Sequence, residues 1–132
     1  MLKIVLKILV FILIFIYSQK IFSQERKWIL FYENDTNRYF YDSLAIHPHG
    51  VIIYVWQMSE KINEGWKGYG SEVIYNVSRV ELICNEKRYR IITSTNFHSD
   101  GTTTTDNARS KYYSTDPNSE SEKLLNIICK NN

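Results

Sequence analysis

The chain has 132 residues, of which 44% are hydrophobic, 23% charged and 14% aromatic. This length excludes a doubly wound nucleotide-binding enzyme and a barrel of strand–helix units, and the apolar content excludes a disordered chain. The formal charge of +2 comes from lysines in the first 23 residues. From residue 24 onward the chain has thirteen basic and fourteen acidic residues. A nearly neutral body lacks the concentrated basic face that neutralises phosphates, so we expect no nucleic-acid partner.

The first 23 residues have the pattern of a secretory signal peptide. Two lysines precede an unbroken apolar run over residues 8–17, as in the n- and h-regions of such signals. A membrane-spanning helix needs about 20 apolar residues, which is about twice the length of this run. We predict cleavage after Ser23, no stable membrane span afterwards, and one domain over residues 24–132. An uncleaved signal anchor is the alternative. Residues 1–24 contain no cysteine for a lipid anchor, so we expect a periplasmic, extracellular or cell-surface product.

Two cysteines, Cys84 and Cys129, lie in the predicted mature part. In an oxidising compartment two cysteines most simply form a disulfide. A metal-binding or nucleophilic cysteine is the alternative. The chain has no Cys-x-x-Cys motif and no histidine close to either cysteine in sequence, which favours the disulfide.

The residue pattern in the first half of the mature chain predicts three strands. Residues 28–33 and 38–42 are rich in β-branched and aromatic side chains, and the polar turn between them predicts a hairpin. A His-Pro-His-Gly segment, residues 47–50, is expected to interrupt the chain. Residues 51–58 have apolar side chains at both odd-numbered and even-numbered positions, which is typical of a strand in the middle of a sheet or beneath a helix. Glycines within Ser59–Gly70 predict a loop.

The second half predicts a long strand, a return strand and an edge strand. In the segment 71–84 the apolar residues first occupy odd-numbered positions, Val73, Tyr75 and Val77. They then occupy even-numbered positions, Val80, Leu82 and Cys84. A one-residue slip predicts a bulge or break near Ser78–Arg79. Residues 88–97 alternate and predict the return strand. Its inward side chains are expected to be Tyr89, Ile91, Thr93, Thr95 and Phe97, and its outward side chains Arg88, Arg90, Ser94 and Asn96. A polar strand over residues 102–105 suits a sheet edge, which would allow a homodimer without requiring one.

The C-terminal segment changes to a helical period. Ser119 and Glu122 form a capping-box pattern, since each side chain can accept a hydrogen bond from an exposed backbone N–H. Apolar side chains then share one helical face: Leu124, Leu125, Ile128 and Cys129. We therefore predict an α+β fold, an antiparallel, meander-like β-sheet of about six strands with a C-terminal helix packed on it and one disulfide.

Catalytic and metal-binding motifs are weak in this chain. His47 and His49, with Asp42 nearby and His98 more distant, could suggest zinc, but zinc needs three or four converging ligands and such histidines usually lie in solvated turns. No nucleophile elbow, phosphate-binding loop or zinc-protease helix occurs. We therefore expect no metal, no cofactor and no enzymatic activity. Catalytic residues that are scattered in sequence remain the alternative, as does a metal site.

A binding role has more support from the residues. Four basic residues lie around one predicted hairpin: Arg79, Lys87, Arg88 and Arg90. They form either a solvated strand face or a basic patch for an acidic partner such as a glycan, a polyanion or an acidic protein loop. Tyrosine and tryptophan in loops are typical of binding surfaces. We predict binding through aromatic and basic side chains on the exposed sheet face and the Ser59–Gly70 loop. Four residues are predicted to contact the partner: Arg88, Arg90, Trp66 and Tyr69.

The order and spacing of several segments resemble the bacterial surface-adhesin protein E family. The segments are Trp28, residues 39–46 (Tyr-Phe-Tyr-Asp-Ser-Leu-Ala-Ile), Val55-Trp56, residues 84–90 (Cys-Asn-Glu-Lys-Arg-Tyr-Arg), Gly101, residues 117–119 (Pro-Asn-Ser) and Cys129. The resemblance covers residues 28–129. Two features depart from the family pattern: the lipid-anchor cysteine is missing, and Tyr112-Tyr113 stands where a tryptophan is expected.

The resemblance implies a small α+β domain with an antiparallel sheet, a C-terminal helix and a disulfide. It also implies export and adhesion to host extracellular-matrix or serum proteins. We therefore expect an exported bacterial, non-enzymatic binding module. A soluble periplasmic envelope protein of the same fold, without an adhesive role, is the alternative.

Overall fold

The computed structural model describes residues 7–9, 25–62 and 72–130. Within these residues eight strands precede one C-terminal helix: β1 (Trp28–Glu33), β2 (Asn37–Asp42), β3 (His47–His49), β4 (Ile52–Lys61), β5 (Val73–Ile83), β6 (Arg88–His98), β7 (Thr103–Asp106), β8 (Tyr113–Ser114) and α1 (Glu120–Lys130). No helix in the described ranges is long and apolar enough to cross a membrane. The cleavage site predicted after Ser23 lies outside the described residues, as do most of the signal segment and the predicted contact residues Trp66 and Tyr69.

All eight strands of the described chain belong to one antiparallel sheet with the order β1-β2-β4-β5-β6-β7. Short β3 pairs with β4, and short β8 pairs with β6. Sequential strands are therefore neighbours, which confirms the meander. The count exceeds the predicted six because two short strands lie beside longer ones.

The prediction that residues 47–50 interrupt the chain was wrong for three of its four residues. His47–His49 form β3, whose residues pair with Ile52–Tyr54 of β4. Pro48 is compatible with this strand because β3 has a paired neighbour on one side among the described residues, and proline can face the other side. The turn itself begins at Gly50, whose φ of 62° suits glycine.

Side chains of the sheet alternate between two faces, and α1 packs on one of them, here called the covered face. The core of this face contains β4 and β5 residues packed against the helix: Ile53, Val55, Val80, Leu82, Leu124 and Ile128. Leu125 of the helix is also buried. This burial confirms the predicted helix and its apolar side. The opposite surface of the sheet is here called the open face.

The parity change in β5 has a different cause from the predicted slip. Pairing between β4 and β5 is regular from Ile52–Ile83 to Glu60–Tyr75. Because β5 continues without a slip, Val80 and Leu82 point to the covered face, whereas Tyr75 and Val77 point to the open face. The apolar residues therefore serve two faces of one continuous strand.

A bulge does occur where β5 and β6 pair at Arg79 and Val80, but its extra residue lies in β6. Arg79 pairs with Thr93 and Val80 pairs with Ile91, which leaves Ile92 without a partner in the register. The predicted inward and outward sets of this strand were therefore wrong. Tyr89 and Ile91 share the covered face, whereas Thr93, Thr95 and Phe97 lie on the open face.

The helix is fixed at both ends. Cys129, near its C-terminal end, forms a disulfide with Cys84 and their Cα atoms are 5.7 Å apart, which confirms the predicted pairing. At the N-terminal end, the Ser119 hydroxyl accepts a hydrogen bond from the Glu122 N–H at 3.2 Å. The Glu122 carboxylate accepts one from the N–H of Asn118 at 2.7 Å. The predicted capping pair is thus present, with the carboxylate reaching one residue further back.

Two other predictions concern the ends of strands. β4 continues to Lys61, so the first three residues of the loop predicted over 59–70 belong to a strand; residues 63–70 lie outside the described residues. The polar strand predicted over 102–105 is β7, shifted by one residue and exposed along its whole length. It pairs with β6, as expected for an edge.

Candidate functional site

The open face carries a pocket of about 510 Å³, here called the open-face pocket. Its lining consists of Arg26, Trp28, Trp56, Met58, Tyr75, Val77, Thr95 and Phe97. Apart from Arg26, these residues come from β1, β4, β5 and β6, and residues two apart on a strand share a face. The sheet therefore gathers aromatic and apolar side chains from distant parts of the sequence.

Arg26 is the charged side chain of this lining. Its guanidinium lies 4.7 Å from the centroid of the Trp56 ring and 5.8 Å from that of Trp28. Both distances fall within the range of cation–π attraction. On the other side of the pocket, the Tyr75 and Phe97 rings stack at 4.3 Å with an interplanar angle of 12°. The pocket thus has a cationic rim beside the two indoles and a stacked aromatic wall.

The segment that carries Arg26 is held in place by a buried carboxylate. Asp42 is fully buried at the end of β2. Its Oδ1 accepts hydrogen bonds from the N–H of Lys27 at 3.0 Å and from the N–H of Leu44 at 3.1 Å. Asp42 also lies opposite Trp28 in the strand register. Through these contacts Asp42 fixes the start of β1, next to Arg26, whereas its Oδ2 has no hydrogen-bond partner among the described residues.

A charged cluster occupies another part of the open face. It consists of Tyr54, Glu81, Arg90 and Tyr112. Arg90 forms a hydrogen-bonded ion pair with Glu81, which is only 2% exposed. The Arg90 guanidinium also stacks on the Tyr112 ring at 4.3 Å. Arg90 therefore forms part of the internal structure of this face.

Electrostatics in the charged cluster favour the ion pair. Burial alone would raise the pKa of the Glu81 carboxyl, but the hydrogen bond and positive charge of Arg90 outweigh it and lower that pKa. A hydrogen bond from Tyr54 acts in the same direction. The pKa of Arg90 is raised in turn, chiefly by its hydrogen bond to Glu81. The pair is therefore charged at neutral pH.

The structure brings two of the four predicted contact residues together. Arg88 and Arg90 are two apart on β6, so both project toward the open face. Arg88 pairs with Glu86 at 3.2 Å, and its side chain is 48% exposed. The Arg90 side chain is 21% exposed and is paired with Glu81. Arg79 belongs to the same face, with its guanidinium 5.0 Å from the Tyr54 ring centroid.

The histidines do not assemble a metal site in the described parts of the chain. His47 and His49 are exposed on β3, and His98 bonds through Nε2 to the Thr104 hydroxyl at 3.0 Å. Among residues 7–9, 25–62 and 72–130, no group of three or more His, Cys, Asp or Glu side chains could hold a metal ion.

A second cavity, of about 210 Å³, lies on the covered face beside the start of α1. Two of its polar lining side chains bond to each other, since the Ser78 hydroxyl donates to Asn76 Oδ1, and the Asn76 amide donates in turn to Ser94 Oγ outside the lining. Burial raises the pKa of the Tyr39 hydroxyl at this cavity, and the nearby charge of Glu120 adds to that shift. Polar side chains of the sheet and of the start of α1 meet at this cavity, which therefore forms a polar end to the core.

The sequence predicted a binding role for the exposed sheet face but did not identify the open-face pocket or its lining residues. Two sequence patterns pointed toward the pocket. The apolar residues of β4 occupy both odd-numbered and even-numbered positions, and those of β5 change from odd-numbered to even-numbered positions along the strand. Both arise because an apolar residue on either face of a strand needs something to pack against. Arg26 carried no signal, since its role depends on Asp42 and on the two indoles.

The profile of the Surface-adhesin protein E family matches residues 28–130 of the chain. Two crystal structures of Haemophilus influenzae protein E have a similar fold at 15% sequence identity. The match to crystal form II has a TM-score of 0.59 and covers 79% of this chain and 87% of that chain. The other has a TM-score of 0.58 and covers 79% and 84%. No curated protein sequence matches the chain significantly.

Proposed function

The chain belongs to the surface-adhesin protein E family, and on that premise we propose that it is an exported bacterial adhesin without enzymatic activity. In this proposal it binds host extracellular-matrix or serum proteins through the open face. One observation carries the proposal: a family member of this fold leaves one face of its sheet uncovered by the helix, and that face is rich in aromatic and arginine side chains. Aromatic residues, methionine and arginine are the residue types enriched in protein–protein interfaces.

Two of the four contacts proposed from the sequence, Arg88 and Arg90, are residues of β6 on this surface. Arg88 is half-exposed on the open face, and the pair that it forms with Glu86 is a surface pair of the kind that contributes little to stability. It can therefore exchange Glu86 for a carboxylate of a partner at small cost. The Arg90 side chain is 21% exposed on this face and stays a proposed contact residue as well. Trp66 and Tyr69 stay proposed contact residues.

The disulfide supports export. Disulfides persist in oxidising compartments and are rare in the cytosol of most cells, and Cys84–Cys129 ties the helix to the sheet. The pattern of residues 1–23 supports the same route, so the proposal includes a cleaved signal peptide.

The test is binding of the purified, exported protein to a panel of extracellular-matrix and serum proteins at physiological salt. We expect saturable binding that is lost after reduction and alkylation, because the reduced protein loses the tether between helix and sheet. Absence of binding by a folded sample, shown to be folded by circular dichroism, would contradict the adhesive function.

A matched pair of variants tests the proposed contact at Arg88. Arg88→Ala should weaken binding to any host protein that the panel identifies. Lys123→Ala is the control, because it removes the same charge from an exposed residue of α1, which packs on the opposite, covered face. Equal losses in the two variants would show an effect of net charge and remove Arg88 from the contact surface.

The alternative function is that of a soluble periplasmic envelope protein with the same fold. Fractionation of intact cells and protease shaving separate the two. Material at the outer surface is expected for the adhesin, whereas material confined to the periplasm would contradict it.

A further inference from the structure

We propose that the open-face pocket binds an apolar side chain of a partner polypeptide that has a carboxylate next to it, with Arg26 pairing to that carboxylate. This inference rests on the proposed adhesive function and names the chemistry of the partner segment. It concerns Arg26, Trp28 and Trp56, which lie apart from the arginines proposed above as contacts.

The shape and lining of the pocket favour an apolar side chain. Five of the eight lining residues are aromatic side chains or Met58, and their surfaces face one opening of about 510 Å³. Burying an aliphatic or aromatic side chain there removes apolar area of both partners from water. Met58 adds adaptability, because its unbranched thioether can adjust to side chains of different shape.

The rim favours a carboxylate. Arg26 is exposed, and no carboxylate pairs with it among the residues that the structure describes. The guanidinium lies over the Trp56 ring at 4.7 Å, a contact with the π face that does not pair its N–H groups with a carboxylate. Those N–H groups suit bidentate pairing with a carboxylate. The indoles hold the guanidinium in position, so little conformational entropy is lost when the anion binds.

Other ligand classes fit this pocket less well. A sugar needs many hydrogen-bond donors and acceptors. Beside Arg26 the polar lining groups are the indole N–H groups of Trp28 and Trp56, which can only donate, and the hydroxyls of Tyr75 and Thr95, of which Thr95 already bonds to Thr105 at 3.0 Å. A cationic ligand would have to displace Arg26 from the indoles. Asp42 is fully buried and does not line the pocket, so it offers a cation no exposed partner.

The test uses protein purified from cells that express the full chain, and short peptides with blocked termini as probes. The probe is Gly-Glu-Leu-Glu-Gly. One control peptide replaces leucine by serine, and the other replaces both glutamates by lysine. Binding is followed by tryptophan fluorescence in a Trp66→Phe background, in which two of the three tryptophans of the chain remain and both line the pocket. The wild-type chain is titrated in parallel.

Three substitutions separate the charge of Arg26 from general effects. We expect Arg26→Gln to weaken binding of the acidic probe about tenfold or more, as for the loss of a hydrogen bond to a charged group. Arg26→Glu should reverse the preference, so that the lysine peptide binds more tightly than the acidic one. Lys27→Gln is the control: it removes the same charge one residue away from a side chain that does not line the pocket, and should leave binding unchanged.

Several outcomes would overturn the inference. These are absence of saturable binding, equal binding of the serine peptide, or equal losses for Arg26→Gln and Lys27→Gln. A dimer in light scattering whose formation shields Trp28 and Trp56 would also overturn it, because a second copy would then occupy the face.

The same variants distinguish this inference from the proposed function. If host proteins bind and the Arg26→Glu substitution does not weaken that binding, the inference fails and the adhesive function stands. If the acidic probe binds with the expected Arg26 dependence and no host protein binds, the pocket chemistry stands and the adhesive function fails.

Discussion

The two faces of the sheet are built from the same strands but differ in what covers them. On the covered face, aliphatic side chains such as Val55 and Leu82 are fully buried beneath α1. On the open face, aromatic side chains are half-buried, and arginines lie among them. The buried aliphatic core therefore lies on one side of the sheet, and the surface proposed to bind a partner lies on the other. The difference teaches that apolar residues at alternate positions of a strand do not by themselves identify a core, since such residues also lie on the face that the helix leaves uncovered.

The largest expected effect tests how the covered face is held together. Reduction of Cys84–Cys129 should lower the free energy of unfolding by about 4 kcal/mol, because the disulfide restricts the unfolded chain. The measurement is thermal unfolding followed by circular dichroism with and without reductant. The chain has two cysteines, so a Cys84→Ser/Cys129→Ser variant should unfold at the same temperature with or without reductant. An unchanged midpoint for the reduced wild type would contradict the stabilising role of this bond.

Two valines on β5 allow a direct comparison of the faces. Val80 is 3% exposed on the covered face, whereas Val77 is half-buried on the open face. Val80→Ala should cost about 2–3 kcal/mol of stability, as expected for deleting buried methyl groups and leaving a cavity. Val77→Ala should cost about 1 kcal/mol or less. Denaturant unfolding measures both. Equal costs would mean that the open face is a second core.

Sequence reasoning predicted the covered face well and the open face poorly. The helix, its cap and the disulfide follow from local patterns, because Ser119 with Glu122 and a helical apolar period lie within one short segment. The first hairpin also follows from local residue types. These features depend on neighbours in sequence, which the sequence displays directly.

The open face depends on register between distant strands, which local patterns do not show. The bulge residue Ile92 decides which side chains of β6 join Tyr75 and Val77, and nothing in its own segment indicates an extra residue. β3 was missed because a His-Pro-His sequence is typical of turns. Proline is compatible there because that strand has an unpaired side among the described residues. The buried position of Glu81 and its pairing with Arg90 likewise depend on β5 and β6 lying side by side.

The charged cluster offers a way to sharpen the contrast between the faces by pH. Because the pKa of Glu81 is lowered from its usual 4.5 in the folded state, its ionisation stabilises the fold above that pH, and this stabilisation is lost as the pH falls through the folded-state pKa. Glu81→Gln should therefore lower the melting temperature at neutral pH, by less than Val80→Ala does. Its difference from wild type should shrink as the pH falls below 4.5.

An exposed pair provides the control for this pH dependence. Glu86 pairs with Arg88 at 3.2 Å, and its side chain is 50% exposed. Glu86→Gln should therefore change the melting temperature little at any pH. Parallel behaviour of the two glutamine variants would show that the open face contains no specific ion pair of consequence.

The smallest expected effect concerns the point at which α1 begins to cover the sheet. Ser119→Ala removes the acceptor for the Glu122 N–H and should cost about 1 kcal/mol. Ser119→Thr keeps a hydroxyl and should cost clearly less. The measurements are the melting temperature and hydrogen exchange of the first helical turn, next to the polar cavity at Asn76 and Ser78. Faster exchange there, with Val80 and Leu82 still protected, would show that the cap fixes the start of the helix but not the core. Loss of protection at Val80 as well would mean that the covered face unfolds from this end as one unit with its helix, and that its stability cannot be separated from the cap.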